Sequence, residues 1–262
     1  MKNLFLLLFF TFNLTLFAQE KDIKKPEYVI IANNEIITNE ELAELGKQGL
    51  IAGMNKGVTE DERNKLAEKF GDKIGDREFI IKVGILTEKE KIERSKKISS
   101  NKGETAKRRN TKDELKLKVN DPADPFTVQM IDGQQINLSD LKGKVVLLNY
   151  WATYCAPCLM EFTEFPEKII EPFKDENFVL IPISIGESKQ KVEQKMEKMK
   201  KYGVDFNVGI DPQEEIWDQY ATGAIPKSFI IDQHGIIKYI SIGNSEGNVD
   251  KLAAEIKKLL QK

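Results

Sequence analysis

Cysteine and histidine are nearly missing from this chain, which has two of the first and one of the second among 262 residues. A protein-only zinc site wants four nitrogen or sulfur ligands, so no metal is expected. An excess of one charge sign is missing as well. The 40 Lys and Arg face 42 Asp and Glu, a formal net charge of −2. With no groove-forming basic motif, nucleic acid is not expected as a partner. Apolar residues make up 40% and charged residues 31%, a composition that supports a packed core.

A bilayer-length apolar run is lacking too. Leu4 to Phe17 is 14 residues and is interrupted by Thr11, Asn13 and Thr15, whereas a spanning helix needs roughly 20. Lys2 ahead of it and Ala18 behind it read as a secretory signal, residues 1–18, cleaved before Gln19. Leu16 at the −3 position fits the peptidase less well than a small residue, so an uncleaved anchor is the alternative. No cysteine precedes position 155, which excludes a lipid-modified cysteine at the cleavage point. Export places the protein in the periplasm or cell envelope.

Three regions follow. Residues 19–92 read as a small α+β domain. Tyr28–Ile31 and Glu35–Thr38 flank Asn33-Asn34 as a hairpin. Thr38 with Glu41, Thr59 with Glu62 and Thr87 with Glu90 have the spacing of capping boxes, and Glu78–Leu86 reads as a strand. Residues 93–120 read as a basic, flexible linker. Between Lys91 and Lys118 there are 11 Lys or Arg and four Asp or Glu. The alternative for that stretch is docking to an acidic partner or anionic lipid. Membrane contact is expected only through it or through an uncleaved signal.

Residues 121–262 read as a second domain. Strands are expected at Phe126–Ile131, Gln135–Asn137, Lys144–Tyr150, Phe178–Ile185, Phe206–Ile210, Lys227–Asp232 and Ile236–Ile242. Helices are expected at Leu159–Phe173, with a kink at Pro166, and at Ser188–Tyr202, Gln213–Tyr220 and Val249–Leu260. Strand–helix alternation followed by a hairpin gives an α/β fold, a mixed sheet with helices on both faces.

The chemistry lies in Cys155-Ala156-Pro157-Cys158, behind an apolar strand and at the start of a helix. In an exported protein two cysteines could form a structural disulfide, but closing so short a loop removes little entropy from the unfolded chain. In this context the spacing reads as a redox pair. Cys155, at the unpaired N–H groups of a helix start, is the expected nucleophile. Cys158, one turn on, is placed to resolve a mixed disulfide. That shuttle spacing gives a peroxidase reading no support. Helical spacing puts Glu161 on the face of Cys158, either as its proton acceptor or as an ordinary solvated carboxylate. Trp151 reads as core, and His234, in the last hairpin turn, as a surface residue.

The stretch from Asn137 to Thr153 (NLSDLKGKVVLLNYWAT) resembles the thioredoxin family, in its exported TlpA/ResA-like branch. The resemblance continues at Ala224-Ile225-Pro226-Lys227-Ser228-Phe229-Ile230-Ile231-Asp232 and Gly235. It covers residues 120 to 262 and leaves 19–119 unassigned. It implies a thioredoxin-like fold, a cis Pro226 facing the cysteines, and a backbone at Ile225 that holds an extended substrate. Asn149 stands where cytoplasmic thioredoxins bury an Asp, and Glu161 matches an acidic residue that the branch uses near its cysteines. Tyr154 replaces the more usual Trp and shapes the substrate groove. The implied activity is protein-disulfide reduction without metal or organic cofactor, with apocytochrome c among the substrates and a membrane or periplasmic electron donor. The alternatives are a disulfide oxidase or isomerase, and a binding protein whose N-terminal domain carries the function.

Overall fold

The computed structural model describes residues 26, 28–55, 57–75, 77–100 and 115–261. The expected signal segment and the centre of the basic stretch lie outside them.

The N-terminal part builds a four-stranded sheet in the order β2-β1-β4-β3 from β1 (Val29–Ala32), β2 (Glu35–Ile37), β3 (Ile51–Asn55) and β4 (Ile80–Ile85). Asn33 and Asn34 both adopt positive φ, 49° and 64°. Asparagine tolerates that conformation, which a two-residue hairpin turn requires. Along β1 the side chains alternate, Val29 and Ile31 packing with Ile74 and Ile80 on one face, Ile30 and Ala32 with Val83 on the other. Helix α1 (Asn39–Lys47) carries a complete Thr38–Glu41 capping box. Helix α2 (Glu60–Phe70) keeps only half of the expected one. Thr59 accepts from the Glu62 N–H, while the Glu62 carboxylate turns to Lys82 at 2.5 Å. Helix α3 (Glu88–Ser100) has the Thr87–Glu90 box and runs eight residues past Ile92, into the stretch expected as linker.

The second sheet has seven strands in the order β11-β10-β7-β8-β9-β5-β6. They are β5 (Thr127–Met130), β6 (Gln135–Asn137), β7 (Val145–Trp151), β8 (Phe178–Ile185), β9 (Gly209–Asp211), β10 (Lys227–Ile231) and β11 (Ile237–Ile242). Strands β7, β8 and β9 run parallel, and β10 returns antiparallel to β7, the mixed sheet read from the sequence. Central β7 is buried along its whole length. Val145, Leu147 and Trp151 face one core layer, Val146, Leu148 and Tyr150 the other. The period of two therefore puts Asn149 in the layer that holds the cysteines. The apolar residues at 206–208 serve packing more than pairing, since Phe206 lies against Phe162 at 5.1 Å between ring centroids.

The expected helix 159–173 is divided. Helix α4 (Ala156–Phe162) ends in a turn, Pro166–Ile170 forms a π-helical turn, and one α turn (Glu171–Phe173) follows. Pro166 has no N–H to continue the ladder, and the next register is taken by Glu171 donating to the Pro166 carbonyl. Helix α5 (Lys189–Met199), α6 (Trp217–Tyr220) and α7 (Asn248–Leu260) complete the layers.

The two sheets are joined through α5. Phe79, 1% exposed, enters the second domain's core and meets the Tyr202 ring edge-on at 5.0 Å. Lys195, itself buried, pairs with buried Glu78 and with Glu60 at 2.5 Å, and Lys198 pairs with Glu60 at 2.7 Å. Burial pushes the Glu60 carboxyl up, but the two ammonium groups outweigh it and hold it at about 2. A depressed folded value means that this contribution is complete above the ordinary carboxylate range and is lost as pH falls toward 2. Acid is thus expected to loosen the junction between roughly pH 4.5 and 2. Glu60→Gln should remove that step from a small-angle scattering titration.

Candidate active site

Trp151, at the end of β7, is buried in the core, as read from the sequence. The chain then turns through Ala152–Tyr154 into α4, and one carboxylate fixes that turn. Glu187 accepts from the Thr153 N–H and hydroxyl, both at 2.6 Å, and from the Ser184 hydroxyl at 3.0 Å; Lys191 pairs with it at 2.7 Å.

Cys155 and Cys158 are joined as a disulfide, with Cα atoms 5.3 Å apart. Cys155 is the N-cap of α4, and the Cys158 N–H donates to its Sγ at 3.3 Å. The first-turn N–H groups thus meet the sulfur that would carry negative charge once the bond is reduced. Pro157 costs nothing there, because it sits where no intrahelical partner is due. On the other side of Cys155 the Ile225 carbonyl oxygen lies 3.7 Å from Sγ. The Ile225–Pro226 peptide is cis. Beyond it, the Lys227 ammonium donates to the Thr222 and Ala224 carbonyls at 2.8 and 2.6 Å, bracing the loop that presents Ile225.

Cys155 and Cys158 are 3% and 0% exposed, and Tyr154 is 42% exposed at the rim. Ile225 is half-buried and Pro226 buried. The structure therefore gathers Tyr154, Cys155, Cys158, Ile225 and Pro226 where β7 ends and β10 begins, at the ends of neighbouring inner strands. His234 lies away from them in the β10–β11 turn, where its N–H donates to Asp232 at 2.9 Å.

Glu161 is not a solvated carboxylate; it is fully buried. The Asn149 amide donates to Oε2 at 2.9 Å and the Asn248 amide to Oε1 at 2.8 Å. Asn149 also reaches the Ser228 hydroxyl at 2.9 Å, and the Ser241 hydroxyl donates to Asn248 at 2.6 Å. Burial raises the Glu161 acid to about 7, although the two amides pull the other way. A carboxyl group near neutrality, one turn from Cys158, can take up or give a proton as the pair changes state. Sequence reasoning did not reach Asn248, Ser228, Ser241 or Glu187. The available signal was faint: a polar residue at a core-facing position, as at Asn248 ahead of Val249 in an otherwise apolar stripe.

A buried Cys-x-x-Cys disulfide capping a helix, opposite a cis-proline loop and on a mixed sheet, defines a thioredoxin-type domain. The AhpC/TSA family model matches residues 119–240. Proteins named thiol-disulfide oxidoreductase ResA also match the chain. That of Bacillus subtilis is 36% identical over 117 residues, 44% of this chain and 63% of that protein. That of Bacillus anthracis is 32% identical over 147 residues, 56% of this chain and 82% of that protein. A solution structure from Bacteroides thetaiotaomicron, provisionally named a protein disulfide isomerase, superposes with a TM-score of 0.52 at 30% identity. It covers 56% of this chain and 92% of its own. The chain belongs to the thioredoxin family, among the ResA-like thiol–disulfide oxidoreductases. The family model does not reach the N-terminal sheet.

Proposed function

We propose that the protein is an exported reductant of selected protein disulfides, apocytochrome c among them, with Cys155 as nucleophile and Cys158 as resolving thiol. The observation that carries the assignment is Cys155 Sγ at the N-cap of α4, facing the Ile225 carbonyl. In the reduced protein the Cys155 thiolate attacks a substrate disulfide, forms the mixed disulfide and releases one substrate thiolate. Cys158 gives its proton to Glu161 and attacks Cys155 Sγ. The substrate leaves with both sulfurs reduced, and the protein is left as the disulfide seen here. An external dithiol then returns two electrons. The Ile225 backbone and Tyr154 hold the extended substrate across this exchange.

Export rests on residues 1–18, and the reducing direction on the likeness to ResA proteins. Among the described residues no helix is long and apolar enough to cross a membrane. Two measurements test the proposal. Cys158→Ala should accumulate mixed disulfides through Cys155 in the cell envelope, with reducible c-type cytochrome precursors among the captured partners. The potential of the pair should lie near the thioredoxin value of about −270 mV; a value near −120 mV would make the protein an oxidase. An empty trap, with partners retained by the N-terminal region, would favour the binding-protein reading.

A further inference from the structure

Resting on that reading, we propose that Gly57 and the segment it leads, in the N-terminal domain, form a specificity wall at the exchange site. The wall would admit extended polypeptide disulfides along Gly223–Ile225 and turn away bulky folded ones.

Gly57 lies between β3 and α2 and is buried. A Cβ built on it would fall 1.5 Å from the Tyr154 carbonyl oxygen, 2.7 Å from the Tyr154 carbonyl carbon and 3.1 Å from the Ala156 nitrogen. Those atoms belong to the backbone on either side of Cys155. Only a residue without a side chain can make this approach, and backbone atoms on both sides leave little room to yield. Cys155 and the backbone that flanks it are therefore approached by main chain from both domains. One approach is that of the Ile225 carbonyl of its own domain, 3.7 Å from Sγ; the other comes from the N-terminal domain.

The wall is held in place beyond the Gly57 contact. Glu60, three residues on, pairs with Lys195 and Lys198 of α5, and Glu78 with Lys195. Phe79 is sunk in the core beside Tyr202. What stays open is a strip: Gly223 and Ala224 are exposed, Ile225 is half-buried and Tyr154 forms the rim. An extended chain can lie along such a strip, pairing its backbone with Ile225 and delivering a disulfide sideways to Cys155. A folded protein with its disulfide on a convex surface meets the N-terminal domain first.

The experiment measures single-turnover oxidation of the reduced full-length protein by bis(2-hydroxyethyl) disulfide and by native insulin. Wild type is compared with Gly57→Ala, which drives the segment off the catalytic turn, and with Glu60→Gln, which releases it through its ionic anchor. In both variants the ratio of insulin rate to small-disulfide rate is expected to rise at least about five-fold, with the small-disulfide rate within two-fold of wild type. A ratio unchanged in Gly57→Ala overturns the proposal. So does a parallel change in both rates, which would report a disturbed cysteine pair rather than a removed wall. Wild type inert toward the small disulfide would instead sink the oxidoreductase reading, and this proposal with it.

Discussion

Replacing Cys155 by serine is expected to leave a folded protein with no thiol–disulfide exchange. The nucleophile in this chemistry is a thiolate, and a serine hydroxyl in the same place supplies no comparable anion at neutral pH. The loss should be complete against background, on the order of a thousand-fold or more, as when a nucleophile is removed from a group of residues acting together. Structure should survive for a specific reason. Cys155 is the N-cap of α4, and its sulfur accepts the Cys158 N–H; serine is among the best residues for that role. The lost disulfide closes only a short loop, so its entropic contribution is small. Circular dichroism and a denaturation curve close to those of the reduced wild type, together with no exchange against bis(2-hydroxyethyl) disulfide, are the expected pair of results. Residual exchange above background would reassign the nucleophile.

Glu161→Gln should change both stability and the resolving step, and pH separates the two. The Glu161 acid is raised to about 7 by burial, so the folded state holds its proton over a range where the unfolded chain has released it. For a group raised on folding, the contribution to stability is full below the unfolded value and is lost as pH climbs through the folded one. The window therefore runs from about 4.5 to about 7, and the difference across it amounts to about 3 kcal/mol. Wild type should lose that much relative to Glu161→Gln over this range in urea denaturation. Comparing the two proteins across pH cancels any constant offset from the amide's poorer match to Asn149 and Asn248. Parallel pH curves would remove Glu161 as a buried titrating group. In catalysis the glutamine cannot accept the Cys158 proton. Mixed disulfides should accumulate with a peptide substrate, and the pH dependence near 7 should disappear from the resolving rate.

Much of the second domain was legible because its signals are local. Val145 to Trp151 is an unbroken apolar run, and a strand buried on both faces has no solvent side to mark. The Cys-x-x-Cys follows it directly, and Pro226 stands in a segment that resembles the family's. What escaped depends on contacts between distant parts of the chain. Glu161 carried two readings in the sequence, and one of the two amides that hold its buried carboxyl belongs to Asn248, which lies 87 residues away. Strand β3, Ile51–Asn55, has no alternating pattern, because it is a mostly exposed edge strand that exists only by pairing with β4. Pro166 gave a kink at the right place, but its form, a π-helical turn, follows from where the next free N–H finds a carbonyl. The Gly57 contact left no trace, since a glycine after a strand reads as an ordinary loop residue.

Asn248 opens the last helix, and that has a consequence for how the protein comes into being. Synthesis proceeds from the N-terminus. The cysteines and Glu161 therefore emerge well before the residue that closes over them. Until α7 docks, Glu161 lacks the Asn248 amide that holds its Oε1. A chain cut short before Asn248 would keep the cysteines but not the tuned acid beside them. Helix α7 therefore decides when Glu161 becomes the buried acid with a raised value.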